Sequence, residues 1–225
     1  ILQKLINLGA PSAMQMLFEV AIFTAAIWLS GLLGKNANAI LLNSLNLSTM
    51  TFMVAMGLSV ASMIRVGNQK GLQKFKELRR IAFSIFLLGI LLAIFFGTVF
   101  FLFHKSLPKI YVDFTDATNY ADNLEVVSIA SQLLFAAAIF QISDTIQVVV
   151  LGALRGLQDF KIPTIITFIS YWVIGFPISY FLGKASMYGS FGIWLGLVAG
   201  LSTAAILLYM RFNYLTLKLI REQQN

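Results

Sequence analysis

Residues 135–156 read FAAAIFQISDTIQVVVLGALRG, a run of apolar side chains with one acid, Asp144, set inside it. An unpaired carboxylate buried away from water is costly, so the meaning of Asp144 depends on its surroundings. Of the 225 residues, 59% are hydrophobic and 11% are charged, whereas soluble domains hold roughly 25% charged residues. Mean hydropathy is +0.85. A water-exposed surface could hardly be built from this supply. Apolar stretches of about 20 residues, the length that crosses a bilayer core, follow one another along the chain. The fold class is therefore an all-α, polytopic membrane protein. Six spans are expected, at about 10–33, 39–64, 81–103, 124–152, 164–183 and 191–210.

The formal charge of +7 does not point to nucleic acid, because the basic residues sit between apolar spans and not in an aromatic-interleaved patch. All but Lys35, Lys105, Lys109 and Lys184 of the sixteen Lys and Arg fall in the first, third, fifth and seventh connecting segments. This alternation is the positive-inside pattern and places both termini in the cytoplasm. With no cysteine, disulfides, thiol catalysis and thiolate metal sites are excluded. The first residue is Ile1, not Met, which leads us to expect a piece of something longer.

The spans differ in what they can face. The third is apolar all round, as suits a helix in lipid. In the second, Asn43 and Asn46 are three apart and share a helical face, which is expected to point into protein or a wet cavity. Gly192, Gly196 and Gly200 form a ridge that permits close helix contact. Gly175 and Pro177 predict a kink in the fifth span, where Tyr171 and Trp172 are candidate cavity-lining residues, with packing as the plainer role. The basic stretch 68–80 has amphipathic spacing, although an ordinary topology-setting loop explains it. Asp113, Asp116, Asp122 and the single His104 fit a solvated outer loop.

Two acids remain inside spans, Glu19 in the first and Asp144 in the fourth. Intramembrane carboxylates face protein or water and are functional candidates by default. Glu19 lies nine residues past Ala10 and Asp144 eleven before Arg155, depths of about 13 and 16 Å at 1.5 Å per residue. The helices run in opposite directions, so both acids reach a similar depth and can share one site. Gln141 and Gln147 flank Asp144 at three residues to either side. Carboxylate and carbonyl oxygens suit a hard cation such as Na⁺, and a carboxyl can equally carry a proton. A purely structural role, with both acids hydrogen-bonded while neutral, is the alternative.

The ordered set GAPSAMQMLFEV (9–20), GLSVASMIRVGNQKG (57–71), SDTIQVVVLGALRGLQDFKIP (143–163), YWVIGFPISYFLG (171–183) and GIWLGL (192–197) resembles the multidrug and toxic compound extrusion (MATE) transporters, in their NorM-like branch. The resemblance covers nearly the whole chain. It implies that the chain is the C-terminal six-helix lobe of a two-lobe, twelve-helix transporter enclosing a central cavity. It also implies export of cationic, amphipathic compounds in exchange for Na⁺ or H⁺, with no cofactor, in partnership with an N-terminal lobe and membrane lipid. The family's cation-site acids fall on Glu19 and Asp144. A tyrosine often found one turn before the second acid is here Phe140, which removes a hydroxyl ligand but leaves a ring face that can contact a cation. Arg155 and Asp159 match a loop at the inner mouth and are expected to pair with each other.

Three rival readings bear on these expectations. A lipid-linked oligosaccharide flippase of the same superfamily would need basic residues in its cavity, and no Lys or Arg is expected within a span core. A non-transporting membrane module would need a partner lobe. An intramembrane enzyme would need a catalytic signature that the two acids alone do not supply.

Overall fold

In hydrocarbon, each backbone N–H and C=O must be satisfied within its own segment or by a protein neighbour, which favours helices. The structure is a computed structural model that describes residues 2–33, 35–107, 120–184 and 188–224. Its elements are α1 (Leu2–Gly31), α2 (Lys35–Gly71), α3 (Phe75–Leu102), α4 (Tyr120–Gly156), α5 (Lys161–Phe168), a π-helical segment (Ile169–Gly175), α6 (Phe176–Lys184) and α7 (Gly189–Gln224). α5, the π segment and α6 together form one passage, so the described residues hold six helices long and apolar enough to cross a membrane.

α4 is the hub. It packs against α2, α3 and α7, and 72% of its most apolar window is buried, against 28% for α3. Its contact with α2 is close because Gly152 and Gly156 leave room for the α2 backbone: a Cβ on Gly152 would collide with the Ser59 carbonyl, and one on Gly156 with that of Met63. Ser59 Oγ donates to the Val148 carbonyl at 2.7 Å across this seam. α3 offers only a narrow stripe of buried residues (Leu78, Ala82, Phe86, Gly89, Ala93, Gly97, Phe100), and the rest of its apolar surface faces outward.

The glycine ridge of α7 seats α6 and the π segment. A Cβ on Gly196 would strike Ser179, one on Gly192 would strike the Leu182 backbone, and Gly200 faces Gly175. Ser179 Oγ donates to the Ile193 carbonyl at 3.1 Å within the same contact. The irregularity expected at Gly175 and Pro177 takes the form of the π segment. Pro177 brings no N–H to the helix ladder, and the Phe176 N–H reaches five residues back to the Tyr171 carbonyl, the π pattern.

Arg155 does not pair with Asp159, contrary to the i, i+4 expectation. Past α4, Gln158 adopts a left-handed backbone (φ 61°) and turns the chain, and Asp159 accepts from Arg211 Nε of α7 at 2.8 Å. Lys70 Nζ, near the end of α2, donates to the Leu157 carbonyl in the same loop. Nor is 68–80 a single surface helix: α2 ends at Gly71, Gln73 turns at φ 56°, and α3 starts at Phe75. Asp113 and Asp116 lie outside the described residues.

Candidate functional site

One face of α4 makes the wall of a cavity. Phe140, Asp144, Val148, Leu151 and Arg155 line it, and at about 100° per residue they fall within an arc of roughly 80°. Opposite stand Met16, Glu19 and Phe23 of α1, and Asn46, Thr49, Phe52, Met53 and Met56 of α2. The cavity measures about 420 Å³. Glu19 and Asp144, 125 residues apart in sequence, therefore share one wall-lined space and lie within electrostatic range of each other.

The acids are held differently. Asp144 is 2% exposed. Glu19 is partly buried, and its Oε1 is fully enclosed with no hydrogen-bond partner among the described residues. One turn earlier on α1, Gln15 is buried and accepts at Oε1 from Arg155 Nη2 at 3.4 Å. Arg155 is itself within electrostatic range of Glu19. The cavity wall thus carries a cation at one end and two acids further along.

Of the other expected site residues, Phe140 lines the cavity beside Asp144, held edge-on by Trp194 (5.0 Å between ring centroids) and Phe23 (6.1 Å). Asn46 lines it as well, while the side chain of Asn43 lies outside the described residues. Gln141 and Gln147 are absent from the lining. Each sits about 60° round α4 from Asp144, on opposite flanks of the stripe. Gln141 turns to α2, where Thr51 Oγ1 donates to its Oε1, and Gln147 is fully buried with neither side-chain polar atom hydrogen-bonded among the described residues.

Tyr171 and Trp172 do not line the cavity, a correction to the sequence reading. Tyr171 is 1% exposed, its hydroxyl lacks a partner among the described residues, and it lies behind the wall within electrostatic range of both acids. Trp172 packs against Phe176 at 5.7 Å between ring centroids. Arg155 is a second correction. α4 continues to Gly156, past the expected end of its span, which puts this arginine in the last helical turn and on the cavity wall. Gln15 was open to a pattern argument from the sequence, since it lies one turn from Glu19.

Among the described residues no three His, Cys, Asp or Glu side chains converge. A hard cation held between Glu19 and Asp144 would complete its oxygen shell from neutral groups or water.

The model of the MatE family matches residues 11–181. The chain belongs to the MatE family. It is 35% identical to the multidrug resistance protein NorM of Photobacterium profundum over 216 residues, covering 94% of this chain and 45% of that protein. It is also 35% identical to the multidrug resistance protein MdtK of Proteus mirabilis, covering 93% of this chain and 45% of that one. Among solved structures, the outward-facing conformation of a multidrug resistance MATE family transporter of the MOP superfamily matches with a TM-score of 0.84 at 16% identity, over 98% of this chain and 48% of that one. This MatE chain is thus a multi-pass membrane protein, and it spans somewhat less than half the length of the curated relatives it matches.

Proposed function

We propose that this chain forms the C-terminal lobe of a secondary active exporter of amphipathic organic cations, driven by counterflow of Na⁺ or H⁺. The coupling ion binds at Glu19 and Asp144. The observation that carries this reading is the convergence of the two intramembrane acids, from α1 and α4, on one cavity. The remaining wall suits a varied apolar cation: Met16, Met53 and Met56 are deformable, and Phe23, Phe52 and Phe140 offer ring faces. The ion drives transport by binding the outward-open and inward-open states with different affinity, because equal affinity would shift nothing.

A second reading, flipping of a lipid-linked oligosaccharide, draws on Arg155, which gives the cavity wall one group able to meet a phosphate. The two acids beside it leave the wall net negative when both are ionised, which favours a cationic substrate.

The test is uptake of a fluorescent organic cation into proteoliposomes holding the full-length protein, with Na⁺ and pH gradients imposed separately. One gradient is expected to drive the wild type, and Glu19→Gln and Asp144→Asn are each expected to reduce driven uptake to background. Normal driven uptake by both variants would remove the acids from the coupling site.

A further inference from the structure

Behind the acid-bearing cavity, α4 borders a second hollow. Ser143, Ile146 and Val150 face it, roughly 120° round the helix from the Asp144 stripe. It measures about 550 Å³ and opens between α3 and α7, with Phe83, Phe86, Ile90 and Tyr209 among its walls. Its polar groups toward mid-span satisfy each other, since Ser143 Oγ and Ser202 Oγ are hydrogen-bonded at 2.9 Å. Leu87 and Ile206 at the rim are 58% and 60% exposed, so the hollow is a groove open to the surroundings of the bundle.

Charge gathers at one mouth. Arg79 stands one turn before Phe83 on α3, with its guanidinium 5.0 Å from that ring, and donates to Thr216 Oγ1 of α7 at 3.3 Å. It therefore bridges the two helices directly below the groove. Arg80 beside it is exposed and forms no ion pair among the described residues. The acid on α3, Glu77, lies about 160° round the helix from Arg79 and about 60° from Arg80, with no ion pair to either among the described residues, and Arg211 is committed to Asp159. Two guanidinium groups thus cap an apolar slot, and neither is ion-paired among the described residues.

We propose that the α3–α7 groove holds an acyl chain of an anionic phospholipid whose phosphate rests on Arg79 and Arg80. Guanidinium forks match phosphate oxygens, and basic pockets between spans on the cytoplasmic side favour anionic headgroups. The positive-inside alternation puts these arginines on that side. The groove faces away from the acid-bearing cavity, so the lipid site stands apart from the transport reading.

The test uses the full-length protein in nanodiscs with spin-labelled phosphatidylglycerol or spin-labelled phosphatidylcholine, the motionally restricted fraction being read by electron paramagnetic resonance. The wild type is expected to hold phosphatidylglycerol in preference to phosphatidylcholine. Arg79→Gln/Arg80→Gln should reduce that preference roughly thirtyfold, about one basic contact's worth per arginine. Ile206→Trp, which fills the mouth from an exposed position, should lower the restricted fraction of both lipids. Lys218→Gln/Arg221→Gln, a charge-matched change on α7, should leave the preference intact. An unchanged preference in the first variant, or an equal loss in the last, would overturn the proposal.

Discussion

At the scale of single residues, Gln147 separates ion binding from packing. It is fully buried and neither side-chain polar atom has a partner among the described residues, an arrangement that costs about 1–3 kcal/mol for each unsatisfied group. If Gln147 serves no ligand, Gln147→Met is expected to raise the thermal midpoint of the detergent-solubilised protein and leave driven uptake unchanged. Loss of uptake with unchanged stability would show that the amide is held unpaired for the ion. Glu19 and Asp144 could be read in advance because a charge in an apolar run stands out, and helix rise alone put them at one depth. The roles of Gln141, Tyr171 and Arg155 could not. Sixty degrees of helix rotation decides whether a glutamine faces a cavity or a neighbouring helix, and that rotation depends on how α4 docks against α2. Arg155 was hidden because hydropathy ends a span at the first charge, while the helix itself runs on.

At the scale of elements, contact between helices rests on missing side chains. Gly196→Val would drive methyl groups into Ser179 and is expected to cost about 3 kcal/mol, the upper end for overpacking. It should reduce the folded yield and lower the melting point. Gly57 on α2 has nothing within 4 Å of an added Cβ, so Gly57→Ala should be neutral or stabilising by up to about 1 kcal/mol, the helix-propensity difference. Equal losses in both variants would mean that the ridge is not a packing surface. The α7 ridge was legible because glycines at four-residue spacing have few other uses in an apolar helix. Gly152 and Gly156 have the same spacing, but a single pair is a weaker signal than three in a row, and their role becomes plain only from Ser59 and Met63 opposite.

At the scale of the whole molecule, α4 separates two surfaces of different chemistry, an acid-bearing cavity on one face and an apolar groove on another. Around that cavity α1 and α2 leave Met16, Val20, Met50 and Met53 exposed, a face that the second lobe of the proposed exporter would cover. The 225-residue chain produced alone is therefore expected to self-associate in detergent, as a broad, concentration-dependent peak by light-scattering chromatography. A sharp monomer peak at every concentration would count against a lobe interface there.

The π segment makes the fifth passage a helix in two phases. Its first part is keyed to α1, where Thr164 Oγ1 donates to the Pro11 carbonyl at 2.9 Å, and its last part is keyed to α7 through Ser179 and Ile193. A π turn holds one residue more than an α turn over the same stretch, so the segment absorbs an extra residue while both ends keep their docking faces. Wound as an ordinary α-helix at unchanged length, the passage would turn one half by about 100° against the other. Ser179 would then no longer meet Gly196 while Thr164 still met Pro11. The segment is therefore a length buffer: deletion of one residue there, for instance exposed Val173, should convert it to α-helix with both contacts kept, and deletion of two should not be tolerated.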